Sequence, residues 1–368
     1  MMASGFDSLP PRFSGVPAAA SRAQDAGFFR WFVDETGPRE PELHPAPPRA
    51  QPAHRPRVGD WDLLGRIGGG TSADVYLAAR RTQPEHRVAL KVLKDPLQPD
   101  PGRRAAFRVE QEIAWRLRHP ALPRAFQTGE SEGVDFLVSE RILGWTWADL
   151  LLHTIAARRP LPQSVLLDLG VQLADALAWL HEQRLTHGDL RPENVLLTVD
   201  GRVKLVDFGG ASRSDAVHAF QAPEQLDGAP ASPATEAFVL GTLLATLTLP
   251  RCPFDDASSL RSFDSRALAR ELRERVPALA PILVDCLDPD PSKRPDALEV
   301  RTRLSRERSS ADAARRWVGQ EEPRLPPLPG VGTWGGEGPP EDLRATFVEA
   351  RLVDEEPEAP ARSIETPR

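Results

Sequence analysis

Three oxygen-bearing side chains sit on short stretches between apolar runs. Asp189 and Asn194 lie in His187-Gly-Asp-Leu-Arg-Pro-Glu-Asn194-Val-Leu-Leu, and Asp207, thirteen residues after Asn194, lies in Val203-Lys-Leu-Val-Asp-Phe-Gly209. Two such groups can hold a hard divalent cation, since magnesium takes oxygen ligands, and the third can orient a nucleophilic hydroxyl. A fourth group lies far upstream. Lys91 is flanked by Val88-Ala-Leu90 and Val92-Leu93, after the glycine-rich Ile67-Gly-Gly-Gly-Thr-Ser-Ala-Asp-Val75. Glycines in a strand-to-strand turn let backbone N–H groups approach phosphate oxygens, and a strand lysine can aim a positive charge at the same phosphates. Singly these signals are weak, because glycine-rich hairpins are frequent and a lone strand lysine is usually just solvated. Glu110 and Glu112 offer an ion-pair partner for Lys91, although on an ordinary surface helix both would face solvent. Ala222-Pro-Glu224 and Lys293-Arg294-Pro295 add a candidate buried Glu–Arg pair.

These groups need a scaffold, and the hydrophobic pattern supplies one. Residues 61–67 and 74–79 read as two strands joined by the glycine turn, 87–93 as a third and 134–140 as another. Residues 107–117 read as a helix stopped by His119-Pro120. Val165, Leu169, Leu173, Leu177 and Leu180 fall at helical spacings of three and four. The order, a sheet-rich part of about 85 residues followed by a helix-rich remainder, predicts one α+β unit with two lobes.

Proline marks its ends. Of 38 prolines, ten precede residue 60 and nine follow residue 300, where the missing N–H opposes helix and sheet alike. Residues 1–58 and 306–368 are therefore expected to be disordered tails. Phe28, Phe29, Trp31, Phe32 and Val33 could dock on a partner or on the folded unit. Leu325-Pro-Pro-Leu-Pro329 could form polyproline II and serve as a ligand for an aromatic groove. The net charge of -7 argues against a nucleic-acid binder. The best apolar run, 237–249, is too short to span a membrane. Two cysteines, Cys252 and Cys286, read as small buried hydrophobes in a reducing compartment, and a soluble cytoplasmic protein is expected.

Taken in order, the motifs resemble those of a eukaryotic-type (Hanks-type) protein kinase of the bacterial serine/threonine kind, over roughly residues 59–305. The resemblance implies a bilobal fold, with a β-rich N-lobe over 59–142 and a helical C-lobe over 143–305. It implies ATP and Mg2+ as cofactors and a protein substrate. Gly68, Gly69, Gly70, Thr71, Ser72 and Ala73 would cover the phosphates, and Lys91 would contact them with Glu110 as its partner. Asp189 would accept or orient the substrate proton with Arg191 nearby, and Asn194 and Asp207 would bind magnesium. The adenine would lie between Ile67, Val75, Ala89 and Leu196, against backbone at Glu140 and Ile142, with Ser139 as the small residue at the back of the site.

Several positions depart from the family pattern. Ala73 replaces the third loop glycine, tolerable if its φ stays negative. Gly188 stands where many kinases carry an arginine that pairs with a phosphorylated activation segment, so control by that modification is not expected. Arg191 replaces a lysine, Val217 a threonine, Phe220 a tyrosine, and Glu236 an aspartate that anchors the catalytic loop. Two other readings stay open on sequence: a pseudokinase that binds nucleotide and scaffolds partners, and a small-molecule kinase of the aminoglycoside or choline type.

Overall fold

The computed structural model describes residues 56–69, 73–94, 100–208, 220–249, 251, 253–254, 260–261, 263–326 and 328. The apolar cluster at 28–33, Cys252 and the segment from Gly209 to Ala219, which holds Val217, lie outside these residues.

The first lobe is an antiparallel sheet. Strands β1 (Arg57–Val58), β2 (Trp61–Gly69), β3 (Ala73–Arg80), β4 (Gln83–Leu93), β5 (Ala125–Ser131) and β6 (Val134–Glu140) pair in the order β1-β2-β3-β4-β6-β5. Period-two alternation sorts the side chains of β4. Val88, Leu90 and Val92 join Leu63, Tyr76, Phe136 and Val138 in the cluster on one face. Ala89 and Lys91 must therefore emerge on the other face. Lys91 stands opposite Val75 on β3 and Leu137 on β6, and Ala89 stands opposite Ser139. All four strands read from the sequence are present. β5 was not expected, because Phe-Gln-Thr-Gly-Glu-Ser lacks an apolar alternation; its buried Gln127 instead accepts from the Trp61 indole at 3.1 Å.

Helix α1 (Pro101–Arg116) covers that second face. Asp100 caps it, accepting from the N–H groups of Gly102 and Arg103, with Pro101 in the first turn. The helix thus starts earlier than its apolar periodicity indicates. Phe107, with half-buried Ala114 and Trp115, packs on Ala73, Leu93, Ala125 and Leu137. The buried Gln111 amide donates to the Phe136 carbonyl at 2.8 Å. Glu110 is thereby set beside Lys91.

The second lobe is helical: α2 (Trp147–Ala157), α3 (Gln163–Glu182), α4 (Pro223–Leu226), α5 (Pro233–Thr248), α6 (Ser265–Arg275), α7 (Ala280–Cys286) and α8 (Ala297–Glu307). A small sheet of β7 (Gly144–Thr146), β8 (Val195–Thr198) and β9 (Val203–Leu205) joins them in that order. The periodic leucines of α3 are all buried in one large core. The apolar run at 237–249 belongs to α5, which is buried on every side and forms the centre of the lobe. Among the described residues no helix is long and apolar enough to cross a membrane. Cys286 is fully buried, and burial pushes its thiol up to about 12, so it is an inert packing residue.

The expected folded limit at 305 is corrected by the structure. The chain continues through a further helix, α9 (Ala313–Glu321), and on to Leu328. Ala314, Val318 and Leu325 are buried in the main core. Asp168, 1% exposed, accepts from Arg308 at 3.2 Å and from the Ala314 N–H at 3.0 Å. Gly201, with φ +79°, lies so close to α9 that an added Cβ would sit 2.4 Å from the Arg315 nitrogen. The Trp145 indole donates to the Pro326 carbonyl at 2.7 Å, and Leu328 packs on the core. Leu325, Pro326 and Leu328 are therefore bound to their own lobe as a strap, while Pro327 and Pro329 of the same motif lie outside the described residues. The apolar residues responsible are spaced among arginines and glutamates, so the segment's mean polarity hides them.

Candidate active site

Lys91 is the hinge point of the site. Its Nζ lies 2.5 Å from Glu110 Oε1 and 3.0 Å from Asp207 Oδ1. Burial works against the ammonium, but the carboxylates of Asp207 and Glu110 outweigh it and hold the amine above its ordinary range. Burial also pushes the Glu110 carboxyl up, with the Lys91 charge opposing. One cation thus faces two carboxylates. Glu110 is enclosed, whereas the Asp207 side chain is 46% exposed. Glu112 instead pairs with Arg116 on the outer side of α1.

Asp207 is held in an unusual backbone state. Its φ of +61° falls in the left-handed region, which costs a non-glycine residue about 1–2 kcal/mol. Its neighbours fix it there. The Val206 N–H donates to the Asn194 carbonyl at 3.0 Å, extending the β8–β9 ladder by one step beyond Val195 and Leu205. The Val206 carbonyl meets His187 Nε2 at 2.8 Å, and the His187 ring lies 4.8 Å from that of Phe208. The loop carrying Asp189 and Asn194 is thereby stitched to the strand carrying Asp207. Within the loop, Asn194 Nδ2 donates to the Asp189 carbonyl at 2.8 Å and to its Oδ2 at 3.0 Å. Lys91, Asp207, Asn194 and Asp189 therefore lie along one continuous path of contacts, although 98 residues separate the first from Asp189 in the sequence.

A buried carboxylate supports the loop from below. Glu236, 2% exposed in the first turn of α5, accepts from the Gly188 N–H at 2.9 Å through Oε1 and meets His181 Nε2 at 2.8 Å through Oε2. The side chain is one methylene longer than the aspartate of the family pattern, and His181 takes up its second oxygen. Gly188 has φ +82°, where a side chain would be strained. His181 was not legible as a site residue. It sits at the end of α3, 55 residues from Glu236, and only the fold joins them.

Ile67, Val75, Ala89, Ser139, Ile142 and Leu196 are all half-buried. Val75 and Ala89 share the face of Lys91. Leu196 alternates with fully buried Val195 and Leu197, so it looks away from the core of the helical lobe. Glu140 ends β6; its N–H is spent on the Arg124 carbonyl, and its carboxylate is gripped by Lys204 at 2.8 Å through both oxygens. Gly68 and Gly69 close β2 opposite Val75 and Asp74, and Ala73 opens β3 with no positive φ. Gly70, Thr71 and Ser72 lie outside the described residues. Arg191 reaches Glu193 at 2.8 Å.

The donor set suits a hard cation. Asn194 spends its amide nitrogen on Asp189, and its Oδ1 has no hydrogen bond among the described residues. Asp207 keeps Oδ2 uncommitted in the same sense. An amide oxygen and a carboxylate oxygen are ligands of the type magnesium accepts, with waters and phosphate oxygens completing the shell.

A charged path of this kind between a small sheet and a helical body is the architecture of a two-lobed kinase. The chain belongs to the protein kinase domain family, whose sequence pattern matches residues 61–303. It is 31% identical over 214 residues to serine/threonine-protein kinase PrkC of Bacillus subtilis (strain 168), an overlap of 55% of this chain and 32% of that protein. It is 36% identical over 263 residues to CBL-interacting protein kinase 4 of Oryza sativa subsp. japonica, 65% of this chain and 56% of that one. The chain thus spans from about a third to about half the length of these relatives. The PknI kinase domain of Mycobacterium tuberculosis superposes with a TM-score of 0.56 at 26% identity, covering 68% of this chain and 97% of that one.

Proposed function

We propose that the protein is an active kinase that moves the γ-phosphoryl group of Mg·ATP to a serine or threonine hydroxyl of a protein substrate. The observation that supports this most is the intact path from Glu110 through Lys91 and Asp207 to Asn194 and Asp189. In this reading Lys91 binds the α and β phosphates, and Glu110 fixes its direction. Asp189, steadied by Asn194, orients the acceptor hydroxyl and takes its proton. The hydroxyl oxygen bonds to the γ-phosphorus as the bond to the β–γ bridging oxygen breaks, and ADP leaves. Asn194 and Asp207 would hold Mg2+, which when bound neutralises phosphate charge. Rate acceleration then comes from positioning and electrostatics, with no covalent intermediate.

The departure at Glu236 loses its force against activity, because this carboxylate still anchors the catalytic loop through Gly188. Gly188 also offers no guanidinium to a phosphorylated segment, so activation-loop phosphorylation does not set the rate. Ser212→Ala with Ser214→Ala should leave turnover nearly unchanged. The central test is label transfer from ATP to a generic protein acceptor in the presence of magnesium. Asp189→Asn should lower it by about 10²–10⁴-fold, the range for a lost general base. Equal label in both proteins would overturn the reading, as would transfer to small hydroxyl compounds alone.

A further inference from the structure

The clearest unused surface lies on α6 and α7. Helix α6 buries Ala269 and Leu272 and presents Arg266, Arg270 and Arg273 outward, at spacings of four and three that set them along one stripe. Other exposed arginines nearby are paired: Arg251 and Arg275 with Glu271, and Arg261 with Asp227. The side chains of Arg266, Arg270 and Arg273 make no hydrogen bond or ion pair among the described residues. With Ala269, Glu274 and Val284 they line a groove of about 570 Å³. Apolar Ala269 and Val284 lie in it and its three arginines outnumber the one carboxylate, Glu274, so it suits an acidic segment led by apolar residues.

The chain carries such a segment in Leu352-Val353-Asp354-Glu355-Glu356-Pro-Glu358. Residues 329–368 hold nine acidic and four basic side chains, the opposite sign to the stripe. They depart from Leu328, which the strap fixes to the same lobe. The 26 residues from Leu328 to Asp354 can reach about 90 Å. A folded unit of about 270 residues has a radius of gyration near 18 Å, so reach does not limit the contact.

We propose that residues 352–358 dock in the α6–α7 groove of their own chain, with Asp354, Glu355 and Glu356 against the three arginines and Leu352 and Val353 toward Val284 and Ala269. Tethering supplies an effective concentration in the millimolar range, so even a site of about 0.1 mM intrinsic affinity would be ~90% filled. Occupancy of that order slows amide exchange of the docked segment about tenfold. Because the contact is exposed, it weakens as salt shortens the screening length.

The test is hydrogen exchange of residues 352–358 in the full chain at low salt, compared with the free peptide of the same sequence. Exchange about tenfold slower than the peptide is expected, with the difference lost at high salt. R266E with R270E and R273E should return the segment to the peptide rate. Adding D354K, E355K and E356K to that variant should restore protection, which a misfolded groove could not do. Peptide-rate exchange in the unaltered chain would overturn the proposal, as would protection that survives the arginine substitutions. Protection that rises with protein concentration would place the segment in a second copy's groove and would equally overturn it.

Discussion

Two charge clusters in this molecule look alike in the sequence and differ in the fold. Arg294 and Glu224 form a closed pair. The guanidinium side chain is fully buried and donates to both Glu224 oxygens, at 2.7 and 2.9 Å, and to the carbonyls of Ala234, Asp288 and Pro289. It also lies over the Phe238 ring at 4.8 Å. Lys91 instead sets one positive charge against two carboxylates, one of them nearly half exposed. The first cluster has its donors satisfied and stands as structure. The second has surplus negative charge facing the cleft, which is the condition for binding a cation and the phosphates it accompanies. A buried ion pair is weak evidence for either role; the unmet valence separates them.

Substitution at each cluster should divide activity from stability. Lys91→Met should lower kcat/KM for ATP by about 10²–10³-fold, as for loss of one preorganised electrostatic contact. Its melting temperature should move less than that of Arg294→Met, because Glu110, already pushed up by burial, can take a proton when its partner is gone. Arg294→Met removes a fully buried guanidinium and strands the half-buried Glu224, and such a break costs about 3–5 kcal/mol, or roughly 10 °C in a domain of this size. Calorimetry and steady-state kinetics on both variants decide the matter. A Lys91 variant that melts early and an Arg294 variant that is stable but inactive would invert the comparison.

Acid sharpens it further. Burial alone would raise the Glu224 carboxyl, but the hydrogen bonds from Arg294, its own backbone and Thr235, with the guanidinium charge, hold it below the ordinary range. A group depressed in the folded state contributes stability above its unfolded pKa and loses it as pH falls through the folded value. The melting temperatures of the native chain and Glu224→Gln should therefore differ at neutral pH and converge in acid. A gap that stayed constant to low pH would show that Glu224 acts by shape, not charge.

How far the sequence carries this comparison depends on the range of the contacts. The Asp189–Asn194 loop and the strand of Lys91 were readable because their chemistry lies within a few residues of apolar punctuation. Glu224 and Arg294 were readable as a pair only through their motifs. His181 on Glu236 and Lys204 on Glu140 were not, since nothing local to a histidine at a helix end or a lysine in a strand names a partner over 50 residues away. The C-terminal boundary failed for a different reason. Proline and charge dominate the composition after residue 305, and a composition average cannot see five or six apolar side chains that a preformed lobe will bury.

That failure yields the smallest and most specific effect. The strap closes on the helical lobe through Leu325 and through the Trp145 indole, which donates to the Pro326 carbonyl. Trp145 is 1% exposed and lies in β7, on the segment that leads from Glu140 into α2. Trp145→Phe keeps an aromatic ring but deletes the donor, and a single neutral hydrogen bond is worth about 0.5–1.5 kcal/mol. At about 2–4 °C per kcal/mol, the melting temperature should fall by only a few degrees while kcat is unchanged, because the bond touches neither Lys91 nor Asp189. Leu325→Ala, which empties buried volume instead, should cost about 2–5 kcal/mol and fall between this variant and Arg294→Met. If both strap variants melted like the native chain, the residues after 307 would contribute nothing to the lobe, and the folded limit would return to where composition alone had set it.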